Sequence, residues 1–243
     1  MSGRIRGLLA SLWWIGCGVS SSDVPPPASD RYAEPRERMV REQLVRRGIR
    51  DERVLEVMGR VPRHELVPEG ERDEAYEDGP LPIGEGQTIS QPYIVAAMSE
   101  AAALTGGERV LEVGTGSGYQ AAVLSALARE VYTIELEPTL AARAKRDLDR
   151  LGCTNVHTRT GDGYRGWPEA APFDAILVTA APDHVPPDLA DQLAPGGRLV
   201  IPVGDSADQE LWLFTKGERG LERKRLMPVR FVPLRGDALR EER

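Results

Sequence analysis

The chain has 243 residues, of which 41% are hydrophobic and 28% charged, and its formal net charge is -7. This composition allows a full hydrophobic core, so one domain of about 200 residues with a tail is the simplest organisation. The acidic balance argues against a nucleic-acid partner, because phosphate binding depends on clustered lysine and arginine. The two cysteines, Cys17 and Cys153, exclude a disulfide framework and show no metal-ligand spacing, so we predict no metal site.

Residues 1–19 have the composition of a secretory signal peptide. Arg4 and Arg6 precede a short apolar run, and small residues surround Cys17. The segment ending at Cys17 also resembles a bacterial lipoprotein box, so three alternatives stand: a lipid anchor at Cys17, plain export, and a cytoplasmic protein with a misassigned start. Residues 20–33 are rich in serine and proline, which predicts a flexible or extended linker.

A folded domain is predicted over residues 34–236, followed by a charged tail at 237–243. Its first part begins with two short amphipathic helices that are separated at Gly48, because apolar residues recur at spacings near 3.6. Asp51 is expected to cap the second helix. A lone histidine, His64, is predicted to be a hydrogen-bonded packing residue and not a catalytic group.

A glycine-rich segment, GPLPIGEGQTISQP at residues 79–92, carries two hydroxyl side chains, Thr88 and Ser90. A helix is predicted to begin near Pro92, which places Ser90 close to the expected N-cap. The N-terminus of a helix also favours an anion. Capping and the binding of a carboxylate are therefore compatible roles for Ser90.

Residues 106–236 alternate strand-like and helix-like segments. This alternation predicts an α/β fold with a doubly wound, mostly parallel sheet in a three-layer α/β/α sandwich. Two more strand-like runs, Leu211 to Thr215 and Arg225 to Phe231, predict an antiparallel addition at the sheet edge. The other predicted strands are Val110 to Val113, Val131 to Glu135, Val156 to Thr160, Ala175 to Thr179 and Leu199 to Val203, and the predicted helices are Tyr119 to Ala128, Thr139 to Leu151 and Pro187 to Leu193.

Three glycines, Gly114, Gly116 and Gly118, follow the first of these strands with the spacing G-x-G-x-G. Without a Cβ they permit a tight turn and the close approach of a ligand. The dinucleotide fingerprint has its third glycine one residue later, where this chain has Tyr119. A nicotinamide cofactor is therefore the weaker interpretation.

Acidic residues follow the next two predicted strands. Glu135 ends the second strand, where an acidic side chain meets ribose hydroxyls in nucleotide-binding folds. Asp162 follows the third strand, where it can accept a hydrogen bond from an adenine amino group. Each acid alone is more often a cap or turn residue, but the glycine turn and both acids at consecutive strand ends favour an adenosine-containing cofactor.

These segments together resemble the protein-L-isoaspartate O-methyltransferases, a family of class I S-adenosylmethionine-dependent methyltransferases with a Rossmann-like fold. The resemblance covers about Met39 to Gly236. It is carried by DGPLPIGEGQTISQP, VLEVGTGSGYQAAVLSAL, NVHTRTGDG, APFDAILVTAAP, QLAPGGRLVIPVG and VRFVPLRG. It implies a monomeric, cytoplasmic enzyme that methylates the free α-carboxylate of L-isoaspartyl residues in damaged proteins and peptides, so that the ester closes to a succinimide and repair begins.

The resemblance also implies roles for individual residues. Ser90 corresponds to the family's active-site serine and would orient the acceptor through a hydrogen bond. The expected substrate-binding residues are Thr88, Gln91, Thr179 and Gln209, and the expected S-adenosyl-L-methionine-binding residues are Gly114, Thr115, Gly116, Gly118, Glu135, Asp162 and Gly163.

No catalytic base is expected, because a carboxylate with a pKa of about 3.9 is already ionised at neutral pH. The enzyme needs to desolvate and orient this nucleophile. A methyltransferase of small molecules or nucleic acids would share the cofactor residues but would not need the 84–92 loop. A third alternative is a catalytically silent, membrane-tethered module that binds isoaspartyl peptides.

Overall fold

A computed structural model describes residues 30–205 and 207–236. The signal-like segment with Cys17 and the charged tail lie outside these residues, as does most of the predicted linker. Within the described part of the chain, no helix combines the length and the apolar character needed to cross a bilayer.

The N-terminal part of the described chain is mainly helical. Its first helix continues directly into a π-helical turn, Met39–Val45. Asp51 caps the next helix as predicted, because its carboxylate accepts hydrogen bonds from the backbone N–H groups of Arg53 and Val54. A two-stranded antiparallel ribbon then leads into a longer helix. The elements are α1 (Ala33–Arg38), α2 (Glu52–Met58), β1 (Leu81–Gly84), β2 (Gln87–Ile89) and α3 (Pro92–Ala102).

The rest of the described chain alternates strands and helices as the sequence predicts. The strands are β3 (Arg109–Val113), β4 (Glu130–Glu135), β5 (Val156–Thr160), β6 (Phe173–Val178), β7 (Leu193–Gly204), β8 (Gln209–Gly217) and β9 (Gly220–Val229). The helices are α4 (Tyr119–Leu127), α5 (Pro138–Arg150) and α6 (Pro187–Asp191).

One seven-stranded sheet joins these strands in the order β5-β4-β3-β6-β7-β8-β9. Neighbouring strands from β5 to β7 are parallel, and β8 and β9 are added antiparallel at one edge. The order reverses direction at β3 and β6, which is the topological switch point of a doubly wound sheet. The predicted fold class is therefore confirmed.

The core lies on both faces of the sheet. On β3, Val110 packs into the larger core with α2, α3 and α4, whereas its neighbour Leu111 faces the opposite core with Leu189 of α6. This alternation is expected, because successive side chains of a strand point to opposite faces of the sheet. The sandwich thus has its predicted three layers, although α6 and short 3-10 segments cover the second face.

The predicted helix Pro187 to Leu193 is wrong at its end. The structure ends α6 at Asp191 and begins β7 at Leu193. The carbonyl of Gln192 accepts a hydrogen bond of 2.9 Å from the N–H of Phe173 at the start of β6. Pairing with a distant strand therefore overrides the local helical pattern. His64 is a packing residue as predicted, because its ring stacks on Tyr32.

Candidate active site

A cleft opens at the carboxyl ends of β3, β4 and β6, where ligands bind in open α/β sheets. Its volume is about 770 Å³ when the space open to solvent is included. Its walls come from distant parts of the chain: the end of the β1–β2 ribbon at residues 87–90, the turn after β3, and a C-terminal segment at residues 232–235. Predicted site residues that line it are Thr88, Ser90, Gly114, Thr115, Gly116, Glu135, Gly163 and Thr179.

The turn after β3 approaches the end of β6 very closely. At Gly114, where φ is +98°, a Cβ would lie 2.5 Å from Oγ1 of Thr179. Oγ1 of Thr179 lies 2.6 Å from the carbonyl oxygen of Gly114 and 3.0 Å from that of Val113, and its one proton is shared between these two acceptors. Thr179 therefore holds the glycine turn. It also lines the cleft, and its contact with substrate stays a prediction.

Gly118 does not line the cleft, and its contact with the cofactor stays a prediction. Its φ is +83°, and a Cβ would lie 3.3 Å from Cγ of Leu148 and 3.5 Å from Cβ of Ala144. Both neighbours belong to α5. This glycine allows α5 to pack closely against the beginning of α4.

Glu135, at the end of the neighbouring strand β4, stabilises the glycine turn. Its Oε2 accepts a hydrogen bond of 2.8 Å from the N–H of Gly116, and its Oε1 accepts one of 2.9 Å from the N–H of Glu137. The side chain lines the cleft and is mostly buried. Each carboxylate oxygen can accept more than one hydrogen bond, so both remain available to ribose hydroxyls.

A second acid in the cleft, Glu112 on β3, was missed in the sequence. It is fully buried, and its Oε2 accepts a hydrogen bond of 2.5 Å from the Thr133 hydroxyl. The Thr133 oxygen lies 2.6 Å from the Thr115 hydroxyl, which donates to it. No group in the described chain bonds Oε1 of Glu112. Burial, and secondarily the charge of Glu135, raise the pKa of Glu112 to about 8.

The Ser90 hydroxyl lines the cleft, but Ser90 is not the N-cap of α3. That position belongs to Gln91, whose carbonyl accepts the first helical hydrogen bonds from Ile94 and Val95. Ser90 thus lies next to the N-cap, as the sequence predicts, and Pro92 occupies the first helical position. No hydrogen bond among the described residues uses the Ser90 hydroxyl, so it is free to donate into the cleft.

Gln91 and Gln209 were predicted to bind substrate, but neither lines the cleft. The Gln91 amide donates to Oδ1 of Asp78 at 2.7 Å and to its carbonyl at 3.2 Å. The Gln209 amide accepts from the N–H of Phe231 at 2.6 Å and donates to its carbonyl at 3.2 Å. Both glutamines instead fasten segments that lead into the cleft.

Asp162 also lies outside the cleft lining, whereas its neighbour Gly163 is part of it. The Asp162 carboxylate caps a 3-10 segment by accepting a hydrogen bond of 2.9 Å from the N–H of Tyr164. It also packs against Gly236, where a Cβ would overlap it. In this structure Asp162 therefore supports the cleft wall.

The C-terminal wall is attached to the sheet by backbone hydrogen bonds. The N–H of Ala181 donates to the carbonyl of Val232, and the N–H of Leu234 donates to the carbonyl of Ala181, both at 2.8 Å. Ala181 thereby forms an isolated parallel bridge with Pro233. The segment 232–235 thus lines the same cleft as the ribbon residues 87–90.

The comparisons with known proteins agree with this geometry. The family model described as Protein-L-isoaspartate(D-aspartate) O-methyltransferase matches residues 34–239. This chain belongs to that family. One curated member, Protein-L-isoaspartate O-methyltransferase of Synechococcus sp. (strain JA-2-3B'a(2-13)), is 60% identical over 86% of this chain and 89% of the relative. A second, Protein-L-isoaspartate O-methyltransferase 2 of Anaeromyxobacter sp. (strain Fw109-5), is 57% identical over 90% of this chain and 91% of the relative.

Solved structures agree with the family assignment. One protein-L-isoaspartate O-methyltransferase is 34% identical, with a TM-score of 0.75 over 83% of this chain and 66% of that chain. A Plasmodium falciparum structure of the same description, in complex with S-adenosyl-L-homocysteine, is 29% identical, with a TM-score of 0.73 over 83% of this chain and 99% of that chain. The predicted family and its Rossmann-like methyltransferase fold are confirmed.

The raised pKa of Glu112 predicts a pH-dependent stability. Between pH 4.5 and about 8 the folded protein retains a proton that the unfolded chain has lost. The free energy of unfolding should therefore fall as pH rises through this window, by at most about 1.4 kcal/mol per pH unit from this group. Glu112→Gln removes this contribution, so its stability relative to the wild type should increase from pH 5 to pH 8 in urea unfolding.

Glu85→Gln at the exposed tip of the ribbon is the matched control for this experiment. The difference in free energy of unfolding between this variant and the wild type should stay constant with pH. Identical pH profiles for Glu112→Gln and the wild type would contradict a buried, protonated Glu112.

Proposed function

We propose that this chain transfers the methyl group of S-adenosyl-L-methionine to the free α-carboxylate of L-isoaspartyl residues in damaged proteins. The resulting ester starts repair, because the neighbouring backbone amide displaces it to form a succinimide. Membership of the family supports this activity. The observation that carries it is the location of a free Ser90 hydroxyl and the glycine turn at Gly114–Gly116 in one cleft.

The residues of the cleft fit S-adenosyl-L-methionine. Glu135 offers acceptor oxygens to ribose hydroxyls, and the unpaired Oε1 of buried Glu112 is available to hydrogen-bond a polar ligand. At Gly114 the absence of a Cβ makes room for the Thr179 hydroxyl, which holds the glycine turn in the cleft wall. The Plasmodium falciparum structure with S-adenosyl-L-homocysteine supports this cofactor. When bound, S-adenosyl-L-methionine supplies the electrophilic methyl group.

The chain's own residues then have to bind and orient an acceptor that is already nucleophilic. The Ser90 hydroxyl donates a hydrogen bond to the acceptor carboxylate, and Thr88 lies beside it in the cleft wall. A neutral donor suits this step, because the carboxylate loses charge in the transition state and a cation on the attacking oxygen would stabilise the ground state more. Among the described residues that line the cleft, Arg235 is the one basic side chain, and it is exposed.

The activity predicts selective labelling of isoaspartyl peptides. Purified protein should transfer tritiated methyl groups from S-adenosyl-L-methionine to a peptide with one L-isoaspartyl residue, and not to the same peptide with aspartate. The label should be released by mild base, as expected for a methyl ester. Equal labelling of both peptides, or cofactor binding without labelling of either, would refute the proposed function.

Replacing Ser90 predicts a loss in methyl transfer without a loss in cofactor binding. Ser90→Ala removes a hydrogen bond to a charged acceptor, so kcat/KM should fall about tenfold to hundredfold. The Kd for S-adenosyl-L-methionine, measured by calorimetry, should stay within about twofold. Ser125→Ala, whose hydroxyl bonds Asn155 away from the cleft, is the control. An equal loss of cofactor affinity in Ser90→Ala would indicate a structural role.

We also propose that residues 1–19 form an export signal or provide a lipid anchor at Cys17, and that the enzyme is monomeric. The charge and apolar pattern of the segment supports the first proposal. Mass spectrometry of the mature N-terminus from fractionated host cells distinguishes a lipidated Cys17, simple cleavage and a later start. An unprocessed N-terminus in the cytosolic fraction would refute both forms of export.

A further inference from the structure

The two ends of the β1–β2 ribbon are joined by one side chain. Asp78 precedes the ribbon, Gln91 follows it, and the Gln91 amide donates to both the carboxylate and the carbonyl of Asp78. Between them lies the part of the ribbon that forms the cleft wall at residues 87–90. Because Gln91 directly follows Ser90, its placement sets the backbone position of that serine.

Arg47 connects the same two ends a second time. Its Nη1 lies 3.1 Å from each carboxylate oxygen of Asp78. Its guanidinium carbon also lies 3.6 Å from the ring centroid of Tyr93 in the first turn of α3. An exposed ion pair alone contributes little. Here, however, one cation contacts the chain both before and after the ribbon.

The chain before Asp78 is attached to the N-terminal helices. Nε of Arg63 donates to the carbonyl of Ala75, and Nε2 of Gln43 donates to the carbonyl of Tyr76, each at 2.7 Å. These hydrogen bonds hold the backbone two and three residues before Asp78. The backbone at Asp78 is therefore held in place, and Gln91 attaches the other end of the ribbon to it.

The far end of the ribbon is held at a different place. Nη2 of Arg143 on α5 donates to the carbonyl of Ile83 at 2.6 Å. The Ile83 side chain packs on the glycine turn, with its Cδ1 within 3.5 Å of the position of a Cβ on Gly116. This part of the ribbon is thus docked on the glycine turn, whereas the base beside Ser90 is held by the separate contacts of Gln91 and Arg47 with Asp78.

We propose that Gln91, Asp78 and Arg47 form a positioning clamp for Ser90 in the methyl transfer proposed above. Gln91 is a positioning residue in this proposal: it acts through Asp78 and the backbone of Ser90, and it does not touch the acceptor. The proposal rests on the proposed function for its kinetic consequences, whereas the attachment of the ribbon by the clamp is independent of any reaction.

The test compares Gln91→Ala, Asp78→Ala and their double variant with Asp78→Asn. With an isoaspartyl peptide, each alanine variant should lower kcat/KM about threefold to tenfold, as expected from an ordinary hydrogen bond. The Kd for S-adenosyl-L-methionine should stay within about twofold. The double variant should be no worse than the poorer single variant, because both remove the same contact. Asp78→Asn keeps an oxygen for the Gln91 amide and should retain more activity than Asp78→Ala.

Arg60→Ala is the matched control, because it removes an exposed ion pair with Glu56 that does not touch the ribbon. It should leave kcat/KM unchanged. Additive losses in the double variant would overturn the clamp and indicate that Gln91 contacts the acceptor directly. Unchanged kcat/KM in Gln91→Ala, or a parallel loss of cofactor affinity and thermal stability, would overturn it as well.

Amide hydrogen exchange tests the clamp without any reaction. In Gln91→Ala, residues 87–90 should exchange faster than in the wild type, whereas the amides of β3 should be unchanged. Unaltered exchange at residues 87–90 would refute the clamp. A wild-type protein that does not methylate isoaspartyl peptides would refute the proposed function alone, and the exchange result would still decide the clamp.

Discussion

The close approach of the turn after β3 to the end of β6 is the constraint on which the site depends. Gly114 has no side chain, so the Thr179 hydroxyl reaches two backbone carbonyls of the turn. From the other side, Glu135 holds the N–H of Gly116. The turn is therefore fixed between the two strands that flank β3. A side chain at Gly114 would clash with the Thr179 hydroxyl and push these strand ends apart.

The charges of the cleft are arranged by depth. The buried side has two acids, Glu112 and Glu135, on adjacent strands, and their proximity is one reason that the pKa of Glu112 is raised. The ribbon side presents hydroxyl groups instead. A cationic cofactor is thus favoured beside the charge of Glu135, and an anionic acceptor is favoured where neutral donors replace charge. The two ligands therefore meet different polar groups within one cleft.

The sequence predicts those parts of the fold that depend on local pattern. Buried strands, the glycine turn and the Asp51 cap follow from periodicity and backbone chemistry, and the structure contains all three. The partners of Gln91 and Gln209 could not be predicted, because Asp78 and Phe231 approach them only through tertiary packing. The sequence does not predict Glu112 as a site residue, because the strand pattern around it is apolar. In the structure, its burial and its unpaired Oε1 identify Glu112 as a polar residue of the cleft.

The bridge between Ala181 and Pro233 has a consequence for the synthesis of the protein. One wall of the cleft, residues 232–235, belongs to the last part of the described chain, whereas another wall, residues 87–90, is translated much earlier. A nascent chain on the ribosome can therefore complete most of its parallel strands and still have an open cleft. The cleft is complete only after residues 232–235 have left the exit tunnel and paired with Ala181.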